Sequence, residues 1–148
     1  MPFGDISNVA PDEWEATQWI NVEVPRLLTQ ICLKKFSHSR VMFLTSDLPV
    51  QPVAGASAYC VSKASLNMLC QCFQLEVDND IAVFTTVAPG NVDTKMQETI
   101  RQASNHALPA SELMRSMYSA NKLLPPRLVA QYLRQLLSDI TPNTFGSR

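Results

Sequence analysis

A tyrosine and a lysine four residues apart are the first residues in this sequence that could do chemistry. They stand at Tyr59 and Lys63 in the stretch AYCVSKA, among otherwise small or neutral residues. On a helix, positions i and i+4 share one face, with Cβ atoms roughly 5–6 Å apart. An ammonium that close favours the phenolate and is expected to lower the tyrosine pKa from about 10. A tyrosine of this kind can exchange a proton with an alcohol or carbonyl oxygen.

The chain around this pair predicts a strand–helix–strand unit. Continuous apolar runs predict buried parallel strands at residues 41–46 and 81–88. Between them, a helical pattern over residues 57–77 carries the tyrosine and the lysine near its start, with Ser57 as a candidate N-cap. Two parallel strands joined by a helix form a βαβ unit, so we predict an α/β layered fold.

Further helices are predicted on both sides of this unit. Apolar spacings near 3.6 predict a long helix over residues 11–36, which Pro25 should kink. Three more helices are predicted after the second strand, over residues 94–103, 111–120 and 126–138. The last segment, NTFGSR, is typical of a chain approaching another strand. We interpret residues 1–148 as a single partial domain.

Polar residues cluster where the two predicted strands end. Ser46 closes the first strand and PGNVDT follows the second, while Tyr59 and Lys63 open the helix between them. Taken singly, Ser46 and the Pro-Gly pair are ordinary turn residues, and Tyr59 could simply pack with Lys63 solvated. Ligands of open parallel sheets bind outside the carboxyl ends of the strands, so three independent features converge on one edge. That convergence favours a catalytic role over a packing role.

Composition excludes several classes of protein. The chain is 46% hydrophobic with a net charge of −1, without the basic surplus that binds nucleic acid or membranes. No apolar run approaches the roughly 20 residues of a membrane span, and the N-terminus lacks the pattern of a secretory signal. The cysteines lack zinc-ligand spacing, so we expect buried, reduced thiols, no metal site and a cytoplasmic protein. They are Cys32, Cys60, Cys70 and Cys72.

The segment LTSDLPVQPVAGASAYCVSKASL resembles the active-site segment of the short-chain dehydrogenase/reductase family. In that family a serine precedes the tyrosine by about thirteen positions, as Ser46 precedes Tyr59, and an asparagine follows a tryptophan by seven, as Asn21 follows Trp14. The family's PG motif is similar to APGNVDTKM. This string and NKLLPP further resemble the sepiapterin reductase-like and benzil reductase-like members.

The resemblance implies a role for each matching residue. Tyr59 would be the general acid that protonates a carbonyl oxygen, and Lys63 would lower its pKa and bind the nicotinamide ribose. Ser46 would hold and polarise the carbonyl, and Asn21 would bind a water that links Lys63 to solvent. Four further residues would line the nicotinamide and pyrophosphate: Pro89, Gly90, Val92 and Thr94. The implied cofactor is NADP or NAD, and the implied substrate is a small carbonyl or alcohol.

One part of the family's pattern has no counterpart in this chain. Glycines occur only at positions 4, 55, 90 and 146, so no window holds the Gly-rich turn that binds the pyrophosphate. We therefore expect a partial Rossmann-like, doubly wound parallel sheet that lacks the N-terminal strands and the Gly-rich loop. By this interpretation the chain is a fragment or variant of a longer enzyme, or a truncated product that works in another way.

Two functions remain open from the sequence. The first is an NAD(P)-dependent carbonyl reductase or alcohol dehydrogenase of the short-chain type. The second is a truncated, non-catalytic interaction module that pairs with a full-length homologue. The resemblance implies a homo-oligomer formed through the helices at 11–36 and 57–77. A chain without a phosphate-binding loop is expected to bind NADPH very weakly, so cofactor binding separates the two functions.

Overall fold

The computed structural model describes residues 2–46, 51–139 and Phe145, and six α-helices surround two strands within that part of the chain. The predicted α/β order of elements is confirmed. The elements are α1 (Pro11–Gln18), a π-helix (Trp19–Glu23), α2 (Val24–Lys35), β1 (Ser39–Leu44), α3 (Ser57–Glu76), β2 (Ala82–Val87), α4 (Lys95–Gln102), α5 (Ser111–Ser119) and α6 (Pro126–Asp139). The strand expected at NTFGSR falls mostly on residues outside the described ones.

The two strands pair in parallel, which confirms the βαβ unit. Ser39 lies opposite Ala82 and Leu44 lies opposite Val87. The first strand begins and ends two residues earlier than predicted. The N–H of Ser39 donates to the carbonyl of Ile81 at 3.0 Å. Backbone hydrogen bonding therefore extends the strand to a polar residue that lies outside the apolar run.

The core lies between the sheet and α3. Phe84 is 1% exposed, and its ring stacks on Phe73 with centroids 5.1 Å apart. Phe73 also stacks on Phe43, at 6.2 Å, so one helix residue joins both strands. On the opposite face of the sheet, Arg40 donates to the carbonyl of Leu137 in α6 at 2.7 Å. Helices therefore cover both faces, as the doubly wound architecture requires.

The long helix predicted over residues 11–36 contains a π-helical segment just before Pro25. Proline has no N–H to bond the carbonyl four residues earlier, and its ring clashes with that carbonyl. The helix widens over Trp19–Glu23, and the N–H of Val24 bonds the carbonyl of Trp19. The predicted disruption at Pro25 thus takes the form of a π-segment, a feature that often marks functional sites. Asn21 lies within it.

The prediction that Ser57 caps α3 is wrong. Ala56 occupies the N-cap position, and the Ser57 hydroxyl is buried without a hydrogen-bond partner in the described part of the chain. The turn before the helix explains the difference. Gly55 adopts φ +81°, and a Cβ there would lie 2.0 Å from the carbonyl oxygen of Ala107. This close approach sets where the helix begins and leaves Ser57 inside its first turn.

None of the helices in the described residues is long and apolar enough to cross a membrane. The described residues also contain no cluster of three or more histidine, cysteine or acidic side chains arranged to hold a metal ion. All four cysteines are free thiols, and Cys70 is the buried one, with its pKa raised to about 11 by burial.

Candidate active site

Ser46 and Tyr59 meet at the carboxyl end of the sheet. Ser46 follows the last residues of β1, and Tyr59 lies in the first turn of α3. Their side chains form a hydrogen bond. Residues thirteen positions apart in the sequence thus come within hydrogen-bonding reach at the start of α3. The predicted convergence of the serine and the tyrosine is therefore observed.

Lys63 lies one turn further along α3, beside the same tyrosine. Its Nζ is 5.6 Å from the centroid of the Tyr59 ring, on the ring face. The ammonium donates a hydrogen bond to the backbone carbonyl of Leu44 at 2.9 Å. Burial lowers the pKa of Lys63 from its ordinary value, because burial disfavours the charged form. Lys63 lies beside Tyr59 as predicted, but its ammonium hydrogen-bonds the backbone at the end of β1 rather than the Tyr59 hydroxyl.

The expected lowering of the Tyr59 pKa is wrong for this chain. Burial raises the pKa of Tyr59 above its ordinary value, and this effect outweighs the hydrogen bond from Ser46, which acts to lower it. The nearby Cys60 thiol raises it further. The physical reason is that a half-buried phenolate loses hydration while the nearest ammonium is bound to the Leu44 carbonyl. Tyr59 is accordingly a protonated phenol at neutral pH.

Asn21 supports α3 through a serine that sequence reasoning missed. The Asn21 amide donates to the Ser62 hydroxyl at 2.9 Å, and that hydroxyl donates to the backbone carbonyl of Tyr59 at 2.8 Å. Gln18 makes a parallel contact, with its amide donating to the carbonyl of Ala58 at 3.0 Å. Ser62 is 0% exposed. A small hydroxyl one helical turn after Tyr59 was the only signal in the sequence for this connection.

The four residues expected to line the cofactor follow β2. Because Leu44 lies opposite Val87, Pro89 and Ser46 leave the sheet at the same end. Gly90 adopts φ +75°, and a Cβ there would lie 3.2 Å from Leu124 Cδ1. Val92 forms a parallel bridge with Leu124. Thr94 precedes α4 in an extended conformation, and its side chain makes no cap hydrogen bond.

An apolar cavity of about 380 Å³ adjoins the Pro-Gly turn. Its walls come from the end of β2, from Leu124 and from α6. It contains a single side-chain hydroxyl, that of Tyr132, and no acid or base. It is lined by Val87, Ala88, Pro89, Leu124, Leu128, Val129, Tyr132 and Leu133.

Polar contacts join α4 and α5, the two helices that follow β2 in the chain. Arg101 of α4 forms an ion pair with Asp93 at 3.3 Å and lies over the Tyr118 ring of α5 at 4.1 Å. Arg115 of α5 donates to the carbonyls of Arg101 and Ala103 at 3.0 and 3.2 Å. Polar contacts therefore cross-link the segment from Asp93 to Tyr118 within itself.

Known proteins are similar to this chain in sequence. A sequence profile of the family described as short chain dehydrogenase matches residues 1–105. The chain belongs to this family. It is 33% identical over 148 residues to a benzil reductase ((S)-benzoin forming) of Bacillus subtilis, covering 96% of this chain and 61% of that protein. It is 34% identical over 101 residues to the sepiapterin reductase of Meriones unguiculatus, covering 68% of this chain and 37% of that one.

Solved structures agree with this family fold. The KRED1-Pglu enzyme superposes with a TM-score of 0.83 at 23% identity, covering 99% of this chain and 62% of that one. The angucycline C-6 ketoreductase LanV with bound NADP superposes with a TM-score of 0.75 at 19% identity, covering 96% and 55%. At such identities the likeness shows the fold alone. The partial Rossmann-like fold predicted from the sequence is confirmed, and the chain spans about three-fifths of the Bacillus relative's length.

The Ser46–Tyr59 hydrogen bond leads to a testable shift in the pKa of the tyrosine. Ser46→Ala is expected to raise the Tyr59 pKa further, because it removes the bond that stabilises the phenolate. The measurement is a pH titration by NMR with ring-labelled tyrosine, in a background where Tyr118 and Tyr132 are replaced by phenylalanine.

Ser57→Ala is the matched control for this titration. It also replaces a serine by alanine, at the start of the helix that carries Tyr59. The Ser57 hydroxyl has no hydrogen-bond partner in the described residues. The control should leave the Tyr59 titration where it was. An unchanged or lower Tyr59 pKa in Ser46→Ala would contradict the assigned hydrogen bond.

Proposed function

We propose that this chain carries the proton-transfer half of an NAD(P)-dependent carbonyl reductase of the short-chain type. The observation that supports it is the hydrogen bond between the Ser46 and Tyr59 side chains, with Lys63 beside the phenol at the carboxyl end of the sheet. The proposed direction is reduction of a small carbonyl compound, and the reverse reaction oxidises the alcohol. The substrate class suggested by the benzil reductase relative is an aromatic diketone.

Tyr59 is the proposed general acid. A phenol with a raised pKa is protonated at neutral pH, which is the form required to donate a proton. Its O–H bond breaks as a new O–H bond forms on the substrate's carbonyl oxygen. The phenolate that remains accepts a hydrogen bond from Ser46. Lys63 provides the nearest positive charge, and we propose that it stabilises this phenolate.

The residues of this chain would form only part of a cofactor-binding site. Lys63 and the segment from Pro89 to Thr94 lie at the sheet end where a nicotinamide and ribose bind in this fold. The four glycines of the chain are too far apart to form the pyrophosphate-binding turn. When bound, the cofactor supplies the hydride to the carbonyl carbon. We propose NADP or NAD as that cofactor.

A chimera gives the direct test of this function. The chimera joins this chain to the part of the Bacillus subtilis benzil reductase that does not align with it. It should reduce benzil with NADPH, because the added part is expected to supply the phosphate-binding loop. The chain alone, purified, should show no measurable NADPH oxidation under the same conditions. A folded chimera that binds NADPH but leaves benzil and other small carbonyls unreduced would overturn the proposal.

A second candidate function is pairing with a homologous chain, and the helix surfaces favour it. Large apolar side chains are exposed along the helices that the family resemblance implies as an interface: Trp19, Ile20, Leu28, Ile31, Val61, Met68 and Leu75. Exposed apolar surface of this kind is typical of association sites. We propose that these faces pair two chains, so that sedimentation should show a species larger than the 16.5 kDa monomer at micromolar concentration.

A further inference from the structure

Short-range hydrogen bonds fold the α4–α5 connection, residues 103–110, into tight turns. The N–H of Leu108 donates to the carbonyl of Ser104 at 2.9 Å, and the N–H of Ser111 donates to the carbonyl of Leu108 at 2.9 Å. The Ser104 hydroxyl accepts the N–H of Ala107 at 3.1 Å. Leu108 is 2% exposed and Ser111 is 0% exposed. This connection is therefore buried as deeply as the core, although it lies between two helices.

Arg115 of α5 spans the α4–α5 connection from one side. Its guanidinium donates to the backbone carbonyls of Arg101 and Ala103 at 3.0 and 3.2 Å, and to the side-chain oxygen of Asn105. The Ser111 hydroxyl donates to the same Asn105 oxygen at 2.9 Å. A guanidinium offers five N–H donors in a fixed planar fork, so one side chain can hold several acceptors at set positions. Arg115 thereby ties the start of the connection to α5.

The α4–α5 connection also contacts the turn before α3. A Cβ at Gly55 would overlap the carbonyl oxygen of Ala107 and would lie 3.1 Å from Leu108 Cα, so the two backbones are in direct contact. The Gly55 carbonyl accepts the N–H of Gly4 at 3.0 Å, and Ala56 is 4% exposed. Glycine permits this approach, because a side chain at position 55 would displace the connection.

This contact lies at the carboxyl end of the sheet. The turn at Gly55 leads into α3, whose first turn carries Tyr59, and the Tyr59 side chain bonds Ser46 beyond the end of β1. Ligands of open parallel sheets bind at this end. The side-chain amides of Gln18 and Asn21 bond the first turns of α3 independently. The α4–α5 connection therefore borders the candidate site, and α3 keeps other supports when the connection moves.

We propose that Arg115 is a positioning residue for substrate binding: together with the contact at Gly55, it holds the α4–α5 connection in place before any substrate binds, as a fixed wall of the substrate site. This inference rests on the proposed reductase function and adds the residue that fixes one side of its site. A wall that is already ordered costs no ordering free energy when the substrate binds. Arg115 acts through the position of the connection and not on the reacting atoms.

Amide hydrogen exchange in the full chain, without cofactor or substrate, tests this hold directly. Arg115→Met removes the guanidinium and keeps an unbranched side chain that favours a helix. We expect exchange at the Leu108 and Ser111 amides to become at least about tenfold faster, because the connection then opens locally. The Leu66 amide, in the middle of α3, should change much less. This comparison separates local release of the connection from a general loss of stability.

Two further arginine variants isolate the part played by the guanidinium fork. Arg115→Lys keeps the positive charge but lacks the fork, so it should speed exchange at Leu108 almost as much as Arg115→Met does. Arg127→Met is the matched control, because it removes an exposed arginine near the start of α6. It should leave exchange at Leu108 unchanged.

Gly55→Ala tests the contact on the other side of the α4–α5 connection. The added Cβ meets backbone, so exchange at Leu108 should rise as it does in Arg115→Met. Gly90→Ala is the matched control: Gly90 has a similar φ of +75°, but an added Cβ there meets only a side chain. The double variant Gly55→Ala/Arg115→Met should exchange no faster than the faster single variant, since both changes act on one connection. If Gly55→Ala does not fold, the Arg115 variants still decide.

The chimeric reductase shows whether the fixed connection serves substrate binding. Arg115→Met should raise KM for benzil at least about fivefold and change kcat by less than about twofold, because the loss weakens the ground state and the transition state equally. Arg127→Met should leave both constants unchanged. If the parent chimera is inactive, the proposed function fails, and the exchange measurements still decide whether Arg115 holds the connection.

Three outcomes would overturn the inference. Unchanged exchange at Leu108 and Ser111 in Arg115→Met would show that the guanidinium does not hold the connection. Fast exchange of both amides in the parent chimera that slows only when benzil is added would show that the connection orders on substrate binding. A lower kcat with an unchanged KM in Arg115→Met would refute the role in substrate binding.

Discussion

Tyr59→Phe should lower kcat of the chimeric reductase by about 10²–10⁴-fold, the usual contribution of a positioned general acid. The substitution keeps the ring that packs beneath the Lys63 ammonium and removes only the hydroxyl that Ser46 bonds. The carbonyl oxygen would then have to take its proton from water. Because the ring remains, the affinity for NADPH should stay similar. Steady-state kinetics with benzil, together with NADPH titration, measures both quantities.

Tyr118→Phe is the matched control for this loss of activity. It removes a hydroxyl from a half-exposed tyrosine of α5 and keeps the ring that lies beneath Arg101. The contact between α4 and α5 is therefore retained. Its kcat should equal that of the parent chimera. Near-normal turnover in Tyr59→Phe would refute the assignment of Tyr59 as the acid. Equal losses in both variants would point to a general effect of removing tyrosine hydroxyls.

Phe84→Ala should destabilise the fold by about 3–5 kcal/mol, the usual cost of truncating a buried phenylalanine. Phe84 is 1% exposed and stacks on Phe73, the residue that joins both strands to α3. Its removal leaves a cavity between sheet and helix, and α3 carries the tyrosine and the lysine. The measurement is the free energy of unfolding from urea denaturation followed by circular dichroism. Since small domains are stable by only about 5–15 kcal/mol, the variant should lose much of its stability.

Leu113→Ala tests whether that effect comes from burial. Leu113 lies on α5, away from the faces proposed to pair two chains, and is 58% exposed. Leucine and alanine are both good helix formers, so the change should stay within about 0.5 kcal/mol of the parent. A loss in Phe84→Ala no larger than in Leu113→Ala would show that the Phe43–Phe73–Phe84 stack does not hold the fold together.

Local patterns in the sequence predicted most of the elements and the proximity of three candidate site residues. The 3.6-residue spacing of apolar side chains predicted α3 over residues 57–77, within one residue of Ser57–Glu76. Short apolar runs predicted both strands, and their parallel order followed from the helix between them. The convergence of Ser46, Tyr59 and Lys63 was predictable because parallel strands end at one edge of a sheet. Each of these inferences depends on periodicity and chain order, which a sequence displays directly.

Contacts between distant residues were decided only by the tertiary structure. Nothing in the sequence indicated that the Lys63 ammonium would bond the Leu44 carbonyl, since that contact requires an outward-directed carbonyl at an open sheet edge. The direction of the Tyr59 pKa shift depended on burial, which a four-residue spacing does not specify. The connection of Asn21 to Ser62 arose where the π-segment before Pro25 meets α3. The sequence by itself indicated which residues are candidates for this site, and packing in three dimensions decided which of them bond and which stay protonated, because hydrogen bonding and desolvation depend on neighbours far away in the chain.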